Sequence, residues 1–287
     1  MQKANTNSDA GHIEYEFSDQ LRATFDPEVG AMWLRWKPKP RPCFNPALLA
    51  ACNDYCQFLQ RQQGVIEHSG VAYTVESSIL TSDVPGVFNL GGDLDLFTAL
   101  IAERNRAGLI EYATACVEVV YRNFVSYDLP VTTVSLVQGE CLGGGFEAAL
   151  SSHVVIAERS ARFGFPEIMF NLFPGMGAVS FALRRANKRV ADELTTSAKI
   201  YSAAEMFEKG VIDMVVEDGH GPAAVRDYVR NKARVMRSLF AMRKRVWRLS
   251  RRELDDIVTL WVDAALRLNP RNLRLMGHLV ARQDKLG

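Results

Sequence analysis

Two glutamates stand where a carboxyl group could exchange protons with a substrate. Glu147 follows a run of three glycines and a phenylalanine, and Glu167 lies 20 residues later in the largely apolar stretch 163–177. Burial in apolar surroundings raises the pKa of a carboxyl group, which suits it to general acid or base catalysis near neutral pH. The structural alternatives are a first-turn carboxylate that complements a helix dipole at Glu147, and an early-helix residue behind Pro166 at Glu167.

Two glycine-bearing loops, residues 89–93 and 142–147, each follow a predicted strand and precede a predicted helix. Glycine permits a positive φ and a close backbone approach, and the first N–H groups of a helix have no intrahelical acceptor. Two such loops side by side could aim two N–H groups at one oxygen, which is an oxyanion hole. Neither loop fits the G-x-x-x-x-G-K-[ST] or G-x-G-x-x-G nucleotide motif. Each loop alone would be a tight turn, but the pair beside two glutamates favours the oxyanion hole.

The spacing of cysteine and histidine does not predict a metal centre or a disulfide framework. The five cysteines are odd in number and contain no C-x-x-C pair, and the five histidines show no H-E-x-x-H spacing. Cys52 and Cys56, four residues apart in a predicted helix, are expected to be packed thiols. We therefore expect no metal and no cofactor.

The elements that must position these residues alternate along the chain. The sequence predicts strands at residues 12–17, 31–36, 71–80, 131–137, 154–157 and 211–216. It predicts helices from residue 46 to about 63, from 93 to 127, from about 146, and over most of the chain beyond 178. Strands separated by helices indicate βαβ units and an α/β fold, with a helical C-terminal third.

Composition places the chain among ordinary globular proteins: 48% of its 287 residues are hydrophobic, 23% are charged, and the net charge is +1. It has no apolar run of the roughly 20 residues that would cross a bilayer, and residues 1–9 are polar. We expect a cytoplasmic protein that binds neither membranes nor nucleic acid.

The stretch 226–252 is strongly basic, with eleven Lys or Arg residues and a single acidic one, Asp227. An acidic protein partner could be steered onto it. The alternative is a solvated helix face.

Four ordered segments resemble the crotonase (enoyl-CoA hydratase/isomerase) superfamily: residues 88–94, 137–147, 163–177 and 201–213. The separation of Glu147 and Glu167 is that of the two-glutamate hydratases in this family. The resemblance implies a crotonase-like ββα-superhelix core over residues 1–217. It also implies a C-terminal helical subdomain, residues 218–287, that takes part in oligomer contacts and pocket closure, in a homo-oligomer such as a trimer or hexamer.

Carried onto this sequence, the family pattern makes the N–H groups of Gly92 and Gly144 the oxyanion hole. Glu147 and Glu167 become the acid/base pair. Further residues are expected to contact the acyl substrate, with ordinary core packing as the alternative: Leu142, Gly143, Met169, Phe170, Leu172, Met176 and Trp261.

Within the superfamily, residues 87–94, 145–150, 171–178 and 260–265 look most like the diffusible signal factor synthases. That resemblance implies dehydration of a 3-hydroxyacyl group on acyl carrier protein to a cis-2-enoyl thioester. Hydrolysis would then release a cis-2-unsaturated fatty acid, a quorum-sensing signal. The alternatives are a conventional enoyl-CoA hydratase acting on CoA thioesters and a non-catalytic crotonase-fold binding protein. The resemblance also implies a regulatory signalling protein as a partner.

Overall fold

The computed structural model describes residues 11–283 of the chain. Its strands are β1 Ile13–Ser18, β2 Leu21–Asp26, β3 Ala31–Trp36, β4 Val65–His68, β5 Val71–Thr74, β6 Ser77–Ser82, β7 Val87–Asn89, β8 Thr132–Val137, β9 Glu140–Leu142, β10 Val154–Glu158, β11 Arg162–Gly164, β12 Tyr201–Ser202 and β13 Met214–Val216. Its α-helices are α1 Pro46–Arg61, α2 Leu94–Ala102, α3 Arg106–Phe124, α4 Gly144–Leu150, α5 Ala178–Arg185, α6 Lys188–Thr196, α7 Ala203–Glu208, α8 Gly221–Tyr228, α9 Arg234–Val246, α10 Arg251–Ala265 and α11 Pro270–Gln283.

The larger sheet has the strand order β1-β2-β3-β6-β8-β10-β13. Its first two pairings are antiparallel, and the others, from β3 to β13, are parallel. The central strands β8 and β10 are buried along their whole length, and β8 (TTVSLV) is rich in β-branched residues. Continuous burial is typical of parallel strands that are covered on both faces.

The smaller sheet, in the order β12-β11-β9-β7, positions the candidate site. Strands β7, β9 and β11 are parallel neighbours, and β12 closes the sheet in antiparallel orientation. Parallel neighbours end at the same edge. The segments that follow β7, β9 and β11 are therefore brought together, although they are far apart in sequence.

The predicted α/β fold is confirmed, but several predicted elements have different bounds. The single strand predicted at 71–80 is two strands, β5 and β6, and the helix predicted at 93–127 is two helices, α2 and α3. The strand predicted at 211–216 is reduced to Met214–Val216. The polar segment 1–9 lies outside the described residues.

Local capping explains where the observed helices begin. The side chain of Asn45 accepts a hydrogen bond from the Leu48 N–H at 2.9 Å, and Pro46 occupies the first turn of α1. Asn105 accepts one from the Gly108 N–H at 2.9 Å and so starts α3 separately from α2.

The C-terminal helices pack back onto the core. Helix α10 lies against α3, and α11 lies against α2. In the part of the chain that is described, no helix combines the length and the apolarity needed to cross a membrane.

Candidate active site

The two glycine loops are in direct contact at the edge where β7 and β9 end. A Cβ atom placed on Gly91 would lie 2.9 Å from the Gly144 nitrogen, and one on Gly145 would lie 2.2 Å from the Asn89 carbonyl oxygen. Gly91 also has a φ of +95°, which side chains other than glycine rarely adopt. Glycine is therefore required at both positions by this close approach.

Two further hydrogen bonds fix the first loop. The Asn89 Oδ1 accepts the Gly91 N–H at 2.8 Å, and the Phe44 N–H donates to the Gly91 carbonyl at 2.7 Å. The first of these is an Asx turn, the local bond that asparagine makes to the residue two positions on. Together they hold the peptide that carries the Gly92 N–H.

The N–H groups of Gly92 and Gly144 lie on the wall of one cavity with both glutamates. Gly144 is the first residue of α4, so its N–H has no intrahelical acceptor. Among the described residues, neither N–H donates to a turn or loop acceptor. The predicted pair of oxyanion donors is thus placed beside the predicted acid/base pair, and its catalytic role stays a prediction.

Glu147 lies in the first turn of α4 and is 1% exposed. Its Oε1 accepts hydrogen bonds from the N–H groups of Met176 and Ala178, both at 2.8 Å. Burial raises the pKa of Glu147 to about 7, although the backbone N–H groups of residues 176–178 oppose that rise by stabilising the ionised form. The carboxyl group is fixed in direction and can be charged or neutral near neutral pH.

Glu167 opens a short 3-10 helix, Glu167–Phe170. Burial, and after it the charge of Glu147, raises the pKa of Glu167 to about 8. Its Oε2 is buried without a hydrogen-bond partner among the described residues. Its Oε1 lies against Gly143, where an added Cβ would be 2.7 Å away. This carboxyl group is therefore available to a substrate rather than engaged in a structural contact.

The pair of pKa values predicts a narrow pH optimum. Below a pH of about 7 both carboxyl groups are protonated, so no base remains. Above a pH of about 8 both are ionised, so no acid remains. We expect kcat/KM for acyl-thioester turnover to rise through the lower value, fall through the higher one and peak between them. A pH-rate profile checks this; a rate that stays constant between pH 5 and pH 10 would contradict shared acid/base roles.

The cavity is apolar and small, about 60 Å³ in volume. Of the predicted substrate-contacting residues, five line it: Gly143, Phe170, Leu172, Met176 and Trp261. At about 10–15 Å³ for each water, this volume holds only a few water molecules. An acyl chain needs more room than this, so side chains on the wall must rotate or the C-terminal helices, which contribute Trp261 of α10 and Leu279 of α11 to the wall, must move.

The other two predicted contacts, Met169 and Leu142, do not line the cavity. Met169 is 54% exposed, because side chains three apart share a face in a 3-10 helix and Glu167 and Phe170 take the inner face. Leu142 packs with Val87 and Leu90 in a separate small cluster.

Two side chains that the sequence reasoning did not assign also shape the site. Asn89 is fully buried and orients Gly91, and the signal for it was the asparagine two positions before a glycine. Phe97 of α2 lies over Gly92, where an added Cβ would be 2.6 Å from its ring. Its ring centroid is 4.8 Å from that of Trp261, so the two aromatic rings form one wall of the cavity.

The basic stretch 226–252 is compensated in part in the fold. Carboxylate partners within 4.0 Å are found for five of its residues within the described part of the chain: Arg226, Arg230, Arg237, Arg251 and Arg252. These ion pairs agree with the solvated-face interpretation for five of the eleven basic residues, and docking of an acidic carrier protein on the stretch stays a prediction.

Cysteine and histidine make no metal centre in the region described. Residues 11–283 contain no group of three or more His, Cys, Asp or Glu side chains arranged to hold a metal ion. The five cysteines are buried free thiols.

Comparisons with known proteins identify a family and a fold for the chain. The family model "Enoyl-CoA hydratase/isomerase" matches residues 65–251. The human mitochondrial methylglutaconyl-CoA hydratase is 32% identical over 155 residues, which cover 53% of this chain and 43% of that protein. The chain spans less than half the length of the first curated relatives it matches.

Two solved structures show the same fold. An enoyl-CoA hydratase from Bacillus halodurans superposes with a TM-score of 0.73 at 17% identity, covering 91% of this chain and 100% of that one. The human mitochondrial delta3-delta2-enoyl-CoA isomerase superposes with a TM-score of 0.72 at 19% identity, covering 93% and 99%.

Proposed function

Because the chain belongs to the enoyl-CoA hydratase/isomerase family, we propose that it moves protons on an acyl thioester, using Glu147 and Glu167 as acid and base. The single observation that carries this proposal is that Glu147 and Glu167 line one apolar cavity together with Gly92 and Gly144. Removing an α-proton places negative charge on the thioester oxygen, and the N–H groups of Gly92 and Gly144 would stabilise that charge. Neither a cofactor nor a metal is needed for this chemistry.

We propose more specifically that the substrate is a 3-hydroxyacyl thioester, carried on acyl carrier protein or CoA. One glutamate takes the proton from the α-carbon, and the other protonates the hydroxyl on C3, which leaves as water and gives a cis-2-enoyl thioester. Near neutral pH the raised pKa values leave one carboxyl ionised and one protonated, which is the state that dehydration requires.

The same cavity would then hydrolyse the thioester. A water molecule that gives its proton to a glutamate attacks the carbonyl carbon, and the tetrahedral oxyanion is held by the same two N–H groups. Collapse of this intermediate breaks the carbon–sulfur bond, and the thiolate leaves with a proton. The proposal of dehydration followed by hydrolysis rests on the resemblance of residues 87–94, 145–150, 171–178 and 260–265 to the diffusible signal factor synthases.

A conventional enoyl-CoA hydratase would use the same carboxyl groups and the same N–H groups to add water to a trans-2-enoyl-CoA. Product analysis separates the two. Purified protein is incubated with the 3-hydroxydodecanoyl thioester of acyl carrier protein and, separately, with trans-2-dodecenoyl-CoA, and the products are identified by mass spectrometry against standards. Free cis-2-dodecenoic acid from the first supports the proposal. Production of 3-hydroxyacyl-CoA from the second, with no free acid from the first, would establish the hydratase instead.

Three further proposals rest on the family resemblance. The chain assembles as a homo-oligomer, and it binds a regulatory protein. It also divides into a core, residues 1–217, and a C-terminal helical subdomain, residues 218–287. The wall formed by Trp261 and Leu279 supports a part for the C-terminal helices in closing the pocket.

A further inference from the structure

A second cavity, of about 250 Å³, lies where α4 and α5 end beside α9. Its wall shares no residue with the cavity that holds the two glutamates. Leu150 and Ser151 at the end of α4, Arg185 at the end of α5, and Phe240 and Arg243 of α9 contribute to it. Nothing in the proposed reaction uses these residues, so the cavity requires its own explanation.

His153 lines this cavity and keeps an unused hydrogen-bond donor, which a ligand in the cavity reaches only when a neighbouring side chain moves. The Thr133 backbone N–H donates to the His153 Nδ1 at 3.1 Å, so Nδ1 accepts and the hydrogen of the neutral ring is assigned to Nε2. Nε2 is buried and has no hydrogen-bond partner within residues 11–283. A buried donor without an acceptor is unfavourable unless a ligand or water supplies one.

Three cations act on His153: Lys244, Arg185 and Arg243. Burial, and after it the charges of these cations, lowers the pKa of His153 to about 3, so the ring is neutral and keeps its single N–H. A polar group that enters beside Nε2 therefore meets positive potential, which favours an anion.

Within residues 11–283, the carboxylates near the cavity pair with other arginines, and no carboxylate is found within 4.0 Å of the Arg243 guanidinium. Arg185 pairs with Asp213 at 3.0 Å, and Arg184 pairs with Glu253 at 3.0 Å. Lys244 donates to the Val125 carbonyl at 3.1 Å and to the Ser126 Oγ at 2.6 Å. The guanidinium carbon of Arg243 instead lies 5.9 Å from the ring of Phe240 and 5.7 Å from that of Trp247.

Aromatic rings make up much of the remaining wall. The His153 ring stacks on Phe240 with the centroids 4.7 Å apart, and Phe124, Phe181 and Trp247 also line the cavity. Inorganic anions gain nothing from such surfaces, whereas an apolar tail attached to the anionic group would be removed from water there.

We propose that this cavity binds an organic carboxylate, with the carboxylate held by Arg243 and the His153 Nε2–H and its apolar tail packed against Phe240 and Trp247. The Arg243 guanidinium and the His153 imidazole N–H are the two donors. Each would make a charge-assisted hydrogen bond to the carboxylate, and the bond from His153 would be buried. The proposal does not depend on the reaction assigned to the glutamates.

Octanoate is a suitable probe, with 1-octanol and inorganic phosphate as comparison ligands. Binding is measured by calorimetry and by proton NMR of the five histidine rings. We expect octanoate to shift the His153 ring signal, and both comparison ligands to bind more weakly. Arg243→Gln should weaken octanoate binding about tenfold or more, as expected for loss of one charge-assisted hydrogen bond.

Arg245→Gln is the matched control, because Arg245 lies on the same helix, is exposed and does not line the cavity. It removes the same charge and should leave octanoate affinity unchanged; thermal melting verifies that both variants are folded. Equal affinity in the Arg243→Gln variant, or an unmoved His153 signal at saturation, would overturn the proposal. Phosphate binding as tight as that of octanoate would overturn the proposal that the apolar tail packs against Phe240 and Trp247.

Discussion

Glu147→Gln and Glu167→Gln are each expected to lower kcat for turnover of the acyl thioester by at least about 100-fold. Glutamine has nearly the same shape but cannot give up or accept the proton that the reaction moves. The Oε1 of Glu147 accepts two backbone N–H groups, and the glutamine carbonyl oxygen can accept them equally. The substitutions therefore remove the proton-transfer function while leaving the local hydrogen bonds available. Steady-state kinetics on the purified variants measures the effect.

The control for this change is Glu208→Gln, on the exposed surface of α7. It should turn over substrate at the wild-type rate, since it makes the same chemical substitution away from the cavity. Because the two carboxyl groups act as a unit, the double variant should be little worse than either single one. Normal turnover by either single variant would remove that residue from the acid/base pair.

Gly91→Ala is expected to reduce kcat by about 10²–10³-fold, the effect of losing one oxyanion donor. Its Cβ would lie 2.9 Å from the Gly144 nitrogen and 3.2 Å from the Leu142 carbonyl oxygen, so the two loops must separate. Separation moves the Gly92 and Gly144 N–H groups away from a common target. The variant also places a side chain at a φ of +95°, which costs stability on the order of 1–2 kcal/mol.

Gly70→Ala separates strain from catalysis. Gly70 has a φ of +78° in the turn between β4 and β5, and a Cβ there meets no atom within 4 Å. It should lose a similar amount of stability in chemical denaturation, yet keep wild-type kcat. If Gly91→Ala loses no more activity than Gly70→Ala at a temperature where both are folded, the two loops do not form an oxyanion hole.

The glutamates and glycines could be predicted from their residue types and from the ordered segments that resemble the family, whereas the short strands that bring them together could not. Strands β7, β9 and β11 are parallel neighbours, and this arrangement brings residues 89–93, 142–147 and 165–167 to one edge of the sheet. The sequence supplied the glycines and the apolar surroundings of Glu167. It did not reveal β7, β9 or β11, which are each three residues long and carry no periodic signal of their own.

Other features depend on contacts that a sequence pattern does not contain. The stretch 71–80 is rich in β-branched residues throughout, but β5 pairs with β4 in a hairpin, whereas β6 joins β3 and β8. The Val75 N–H donates to Gly64 and the Glu76 N–H to Gly30 where the chain crosses between these sheets. Met169 faces outward because a 3-10 turn has a different period from an α-helix.

The ion pairs of the basic stretch 226–252 also could not be predicted from the sequence. Composition shows its charge, whereas its acidic partners, such as Glu28 for Arg226 and Glu118 for Arg251, come from distant parts of the chain. Only the fold shows which of these positive charges are paired with carboxylates.

Turnover in H₂¹⁸O tests most directly the central claim that one site dehydrates a 3-hydroxyacyl thioester and then hydrolyses it. We expect wild-type protein given the 3-hydroxydodecanoyl thioester of acyl carrier protein to release cis-2-dodecenoic acid with one ¹⁸O atom in its carboxylate. The label enters there because the attacking water becomes a carboxylate oxygen. Label found only at C3 of a 3-hydroxyacyl thioester, with no free acid released, would contradict the claim.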